Sequence, residues 1–201
     1  QPLPAYFQGR AFLGASLGEP RQYVYGARDR MDERYDIIRA VRDKQFKYLR
    51  NYEPFKPYYQ YMNTPEKGAT MKEIRRVHAA GKMSSAAALF MAPRKPVEEL
   101  YDLEADPGQR NNLIADPAYK AKVDEMKRLM LAHAFQSVER VDFRVGEANW
   151  RSRNALENIG ARQTRRTELA KYQGKRVLHL VYAITRDEFA NGPLSYSDQG
   201  G

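Results

Sequence analysis

The sequence predicts an α+β fold: a small antiparallel sheet packed by one helix, followed by a strand–helix–strand–strand unit. Three observations carry this. Residues 21–53 hold three strand signals in close succession. Residues 116–134 place apolar side chains at helical spacing behind an Asp-Pro start. Residues 138–184 alternate, break at a helix-capping asparagine, and return to two β-rich runs.

In order, the strands are expected at 22–27, 37–42 and 46–52. Asp43-Lys44-Gln45 is short enough to join the last two as a hairpin. In the third strand Phe46, Tyr48 and Arg50 share one face, and Lys47, Leu49 and Asn51 the other. Three prolines and several tyrosines make 53–65 an irregular loop. Residues 70–80 read as a helix with Met71, Ile74 and Val77 on its inner face, stopped by Gly81. A strand at ELYDLE (99–104) and a turn at Asp106-Pro107-Gly108 follow. Next comes a helix with Asp116 as N-cap, Pro117 at the first position and an apolar stripe at 119, 123, 126, 130 and 134.

In the last third, Val141, Phe143 and Val145 alternate with Arg140, Asp142 and Arg144. Asn149 caps a helix over 150–159, with Ala155, Leu156 and Ile159 inward and Gly160 ending it. Strands are expected at 161–168 and 177–184, the second apolar on both faces and therefore buried. The tail SYSDQGG is expected to be disordered.

The 201 residues carry a net charge of +9 and a pI near 9.6. Such a balance suits an anionic partner. The basic residues are interleaved with acids along the whole chain and no nucleic-acid motif accompanies them, so no nucleic-acid partner is expected. No apolar run approaches the roughly 20 residues that span a bilayer, so no membrane partner is expected either. QPLPAYFQGR lacks the basic-then-apolar pattern of a secretory signal, and the chain reads as soluble with its compartment open. Without cysteine there is no thiolate nucleophile and no cysteine metal site.

Arg28, Asp29, Arg30 and Asp32 sit where a strand ends. Forked arginines suit sulfate or carboxylate groups, and the aspartates either orient them or bind sugar hydroxyls; a local salt-bridge network is the alternative. Tyr48, Tyr52, Phe55, Tyr58, Tyr59 and Tyr61 could stack on sugar rings, but rings beside prolines more often cover a core edge. His78 has no second ligand at metal spacing and reads as structural.

GRAFLG (9–14), YVYGARDRMDERYDIIRAVRD (23–43), KYLRNY (47–52) and EELYDLEADP with NNL (98–113) resemble the C-terminal part of a bacterial sulfatase of the heparan N-sulfatase and arylsulfatase branch. The resemblance covers about 1–128. It implies a small antiparallel sheet packed by a final helix and bordering a larger α/β domain. It also implies a sulfuric ester hydrolase, a sulfated glycan or sulfate ester as partner, and Arg28, Asp29, Arg30 and Asp32 as substrate contacts. Sulfatases hydrolyse with a formylglycine from a Cys/Ser-x-Pro-x-Arg motif beside a calcium ion. Neither that motif nor the calcium-binding Asp pairs occur here, so no catalytic residue and no metal ligand is assigned to this chain. Calcium would belong to the complete enzyme, and an N-terminal sulfatase domain would be a partner.

FRVGEANWRSRNALENIGA (143–161) and HLVYAITRDEF (179–189) resemble the C-terminal third of a GNAT-type N-acetyltransferase, over about 127–194. That resemblance implies contacts to acetyl-CoA from Asn149, with Ser152 and Arg153 nearby. Leu156 stands where many members place a general-acid tyrosine. The Gly-rich turn that grips the pyrophosphate is absent before 116–125, so no cofactor is expected for this chain alone. The expected organisation is 1–126, 127–194 and a tail, with a seam inside the helix that starts at 116. Three functions compete: a sulfatase C-terminal fragment without its catalytic centre, an acetyltransferase with an incomplete cofactor site, and a non-enzymatic module holding anionic glycans.

Overall fold

The computed structural model describes residues 9–14, 17–172 and 175–195. Its elements are β1 (Val24–Met31), β2 (Arg34–Arg42), β3 (Phe46–Asn51), α1 (Asn63–Lys67), α2 (Ala69–Ala79), α3 (Ser85–Ala88), β4 (Glu98–Asp102), α4 (Lys120–Ala134), β5 (Arg140–Gly146), α5 (Trp150–Asn158), β6 (Arg162–Tyr172), β7 (Lys175–Thr185) and α6 (Arg186–Ala190). Two antiparallel sheets result, in the orders β1-β2-β3-β4 and β5-β7-β6. The α+β class agrees with the sequence, and the expected strands and helices occur in the expected order; α1, α3 and α6 are additional to those expected, and α1 begins inside the stretch 53–65 expected to be an irregular loop. β1 and β2 run further than expected because they continue to a tight turn at Asp32, which takes φ +50°. The expected disordered tail lies outside the described residues from 196 onward.

α4 joins the sheets. Asp116 caps a short 3₁₀ turn over Pro117–Tyr119, accepting from the Ala118 amide at 3.0 Å, and the α-helix proper starts at Lys120. Val123 and Met126 enter the first core with Val41, Tyr48 and Leu100, and Tyr119 and Met130 pack beside them. Leu131 and Phe135 enter the second core with Phe143, Val145, Leu156, Leu180, Tyr182 and Ile184. The stripe expected at 119, 123, 126 and 130 therefore holds, but the next contacts fall at 131 and 135 instead of 134. One residue on a helix turns the side chain by about 100°. Each half of α4 thus presents a different face to a different core.

A network of charges crosses the same seam. Glu98 on β4 accepts from Tyr48 at 2.8 Å, and pairs with Arg50 at 2.7 Å and Lys127 of α4 at 3.1 Å. The Arg50 guanidinium also lies over Phe143 of the second core, 5.4 Å from its ring centroid. Tyr52 stacks on the same Phe143 at 6.2 Å.

Gly160 ends α5 at φ +88°, and a Cβ there would lie 3.1 Å from Pro193 Cδ. Left-handed backbone costs an L-residue about 1–2 kcal/mol. Gly160→Ala is expected to lower stability by at least that amount in urea titration, and an unchanged midpoint would contradict this.

Candidate anion-binding site on the first sheet

Partners in an antiparallel ladder share a face, so the register sorts the side chains. Arg28 is opposite Ile38, Ile38 opposite Asn51, and Leu49 opposite Glu99. Arg28, Asp36, Ile38, Asn51, Glu99 and Tyr101 therefore lie on one face. Val41, Tyr48 and Leu100 lie on the other, against α4. The polar face is covered by loops. The Lys95 amide donates to the Pro54 carbonyl at 2.9 Å, and Asn51 Nδ2 donates to the Pro96 carbonyl at 2.7 Å.

At its centre Lys95 and Asp36 form an ion pair, with side chains 0% and 1% exposed. Asp36 also accepts from the Ile37 amide at 3.0 Å and from Gln60 Nε2 at 3.3 Å. Burial pushes the Lys95 ammonium below its ordinary value, although Asp36 pulls it back up; the nearby Arg28 charge adds to the lowering. Beside the pair, Glu99 accepts from Tyr101 at 2.6 Å and from Asn51 Nδ2. Burial, reinforced by Glu99, raises the phenols of Tyr58 and Tyr101 far above their ordinary range.

Within this region two groups are unmatched. Arg28 Nε and Nη2, and Asn51 Oδ1, are buried and have no hydrogen-bond partner among the described residues. Each such group costs about 1–3 kcal/mol, so two on one face call for an explanation. Donors of a guanidinium fork suit an oxyanion supplied from outside the chain.

The four residues singled out on β1 and its turn are not gathered into one site. A register shift lies between Arg28 and Arg30. Arg28 turns to the polar face. Asp29 pairs with Arg39 at 2.8 Å on the exposed surface. Arg30 Nε donates to the Asp32 carbonyl at 2.9 Å, and Asp32 is engaged as a turn residue. Asp36, Lys95, Asn51 and Glu99 escaped the sequence reading. Asp36 carried a signal, being a charge at an inward position between Tyr35 and Ile37. Lys95 sits in a loop and carried none.

The aromatic cluster serves the protein's own packing: Tyr48 and Tyr59 are buried, and Phe55 meets His179 edge-on at 5.0 Å. Arg34 and Arg75 lie 5.4 and 5.2 Å from the Tyr59 centroid. Tyr61 remains exposed. His78 is exposed near the end of α2.

No family model matches the chain. It is 42% identical over 123 residues to an ulvan-active sulfatase of Formosa agariphila, covering 61% of this chain and 21% of the relative. A second ulvan-active sulfatase of that bacterium is 31% identical over 136 residues, covering 65% and 25%. These relatives are sulfatases. The chain spans about a fifth to a quarter of their length. Among solved structures, a 2-O GAG sulfatase aligns at 20% identity with a TM-score of 0.41, over 75% of this chain and 23% of that one. A chain assigned as a sulfatase from Bacteroides thetaiotaomicron aligns at 20% identity with a TM-score of 0.40, over 68% and 22%. None of these four proteins is an acetyltransferase.

No group of three or more His, Asp or Glu among the described residues could hold a metal ion. In the second half Asn149 caps α5, accepting from the Ser152 amide at 3.2 Å. Both residues line a cleft between α4 and α5. Arg153 does not join them. Its Nε donates to Tyr182 at 3.2 Å, Nη1 donates to the Glu147 carbonyl at 3.1 Å, and the guanidinium stacks 4.0 Å from the Trp150 centroid. Leu156 is buried in the second core. Of the three residues expected near acetyl-CoA, Asn149 and Ser152 thus share the cleft, and Arg153 is engaged with Tyr182, Glu147 and Trp150. No described helix is long and apolar enough to cross a membrane.

Proposed function

We propose that this chain is the C-terminal part of a sulfatase acting on a sulfated glycan such as ulvan, and that Arg28, half-buried on the edge strand of the first sheet, meets the glycan's anionic groups. The 42% identity over 123 residues to an ulvan-active sulfatase carries this reading. Sulfate-ester cleavage needs an activated nucleophile and a cation on the sulfate oxygens. Neither the formylglycine motif nor the calcium ligands are in this sequence. The chain's own share is therefore binding and orientation. Lys95 and Asp36 neutralise each other and hold the covering loop. Arg28 keeps unmatched donors for a sulfate or carboxylate of the substrate.

The chain alone is expected to release no sulfate from ulvan oligosaccharides, yet to bind them about tenfold or more tightly than their desulfated forms, the worth of a charge-assisted contact. Calorimetric titration and sulfate release test both parts. Sulfate release by the chain alone would refute the missing-centre reading. Equal affinity for desulfated material would refute the anion contact.

Residues 127–194 support a second reading, acyl transfer from acetyl-CoA, through the Asn149 cap and its place beside a cleft. The sulfatase reading expects no thermal shift with acetyl-CoA; a clear shift would favour the second.

A further inference from the structure

A separate concavity of about 520 Å³ lies where the opposite face of β1 and β2 meets the end of α4 and β5. Ile37, Met130 and Val141 give it apolar walls. Tyr25 and His133, also lining it, stack in parallel at 3.9 Å and 8°. Three arginines are among its lining residues: Arg39, Arg140 and Arg144. Asp142 is the one carboxylate among its lining residues, and it is already held by Arg140 Nε at 2.6 Å and Arg166 Nη1 at 2.9 Å.

The arginines are not equivalent. Arg39 is pinned, with Nη1 on the Arg28 and Ile38 carbonyls at 3.2 and 3.0 Å and Nη2 on Asp29. Arg140 and Arg144 are each paired through Nε, the first with Asp142 at 2.6 Å and the second with Glu168 at 2.8 Å. The hydrogen bond that Arg140 makes among the described residues is from Nε, which leaves its terminal amines, like those of Arg144, directed at no hydrogen-bond acceptor there. The cleft therefore combines an apolar interior, a fixed positive field and free guanidinium donors. Its volume falls in the range of small-molecule sites.

We propose that this cleft binds a small amphipathic anion: one flat apolar ring bearing one carboxylate or sulfo group. The ring lies against Ile37, Met130 and Val141, and the acidic group accepts from the terminal amines of Arg140 and Arg144. Because both sheets and α4 build the cleft, its ligand also stabilises the junction of the two halves. The site is independent of the glycan reading, since Arg28 points to the other face of the sheet.

Calorimetric titration with 2-naphthoate, 2-naphthalenesulfonate and neutral 2-naphthamide tests the proposal. Either anion, or both, is expected to bind about tenfold or more tightly than the amide, and the pair tells carboxylate from sulfo preference. Arg144→Gln, or Arg140→Gln should the first variant fold poorly, is expected to remove most of that advantage. Arg28→Ala is expected to leave it intact while lowering glycan affinity. Equal affinity for the amide, absence of binding, or undiminished anion binding in a folded Arg144→Gln protein each overturns the proposal.

Discussion

Glu98→Ala is expected to lower the stability of the chain by about 3–5 kcal/mol, the usual cost of breaking a buried ion pair from one side. Glu98 answers three groups at once: Arg50, Lys127 and the Tyr48 hydroxyl. Removing it leaves Arg50 buried with its charge unbalanced, next to an Nε that already lacks a partner. The loss should not stay in the first sheet. Arg50 lies over Phe143 of the second core, and Lys127 sits in α4 between the two contact faces. Trp150, the single tryptophan, reports from the second half. Its fluorescence and far-UV circular dichroism are therefore expected to move together to lower urea in one transition. A tryptophan transition that stays in place while the rest shifts would show that the halves unfold separately.

The same residue gives a pH dependence. Burial alone would raise the Glu98 carboxyl, but Arg50, Lys127 and the hydrogen bonds from Tyr48 and Lys127 outweigh it and hold it below its ordinary 4.5. A depressed carboxylate contributes stability that is complete above the unfolded value and is lost as pH falls towards the folded one. Wild-type stability should therefore decline as pH drops below about 4.5, and the Glu98→Gln variant should decline less steeply.

Lys95→Met is expected to have a comparable effect, about 3–5 kcal/mol, because it strands Asp36 as an unpaired buried charge. Asp36 would keep its bonds from the Ile37 amide and Gln60 but lose its counter-ion. Combining Lys95→Met with Asp36→Leu removes both charges and should restore most of the loss, since apolar substitutes of similar volume often match a buried pair. Denaturant titration of the three variants decides this. A double variant as unstable as Lys95→Met would mean that the pair holds the covering loop by more than mutual neutralisation.

Much of this was legible in the sequence because local patterns dictated it. The alternation of 46–51 sorted Tyr48 from Asn51, and the alternation of 140–146 sorted Phe143 from Arg144. Asn149 and Gly160 marked both ends of α5 by their capping chemistry. Tertiary events were less legible. Two cores approach α4 from different directions, so a single helical stripe could not forecast Leu131 and Phe135. The register shift after Arg28 separated residues that sequence proximity had grouped. Lys95 reaches Asp36 across 59 positions, a pairing that no local pattern encodes.

Arg28→Ala offers the most direct test of the central claim, that Arg28 on the edge strand of the first sheet meets an anion. Without a ligand, the buried Arg28 donors cost stability. The variant is therefore expected to be at least as stable as the wild type, yet to bind sulfated ulvan oligosaccharides about tenfold or more weakly. Undiminished binding by a folded Arg28→Ala protein would contradict the account.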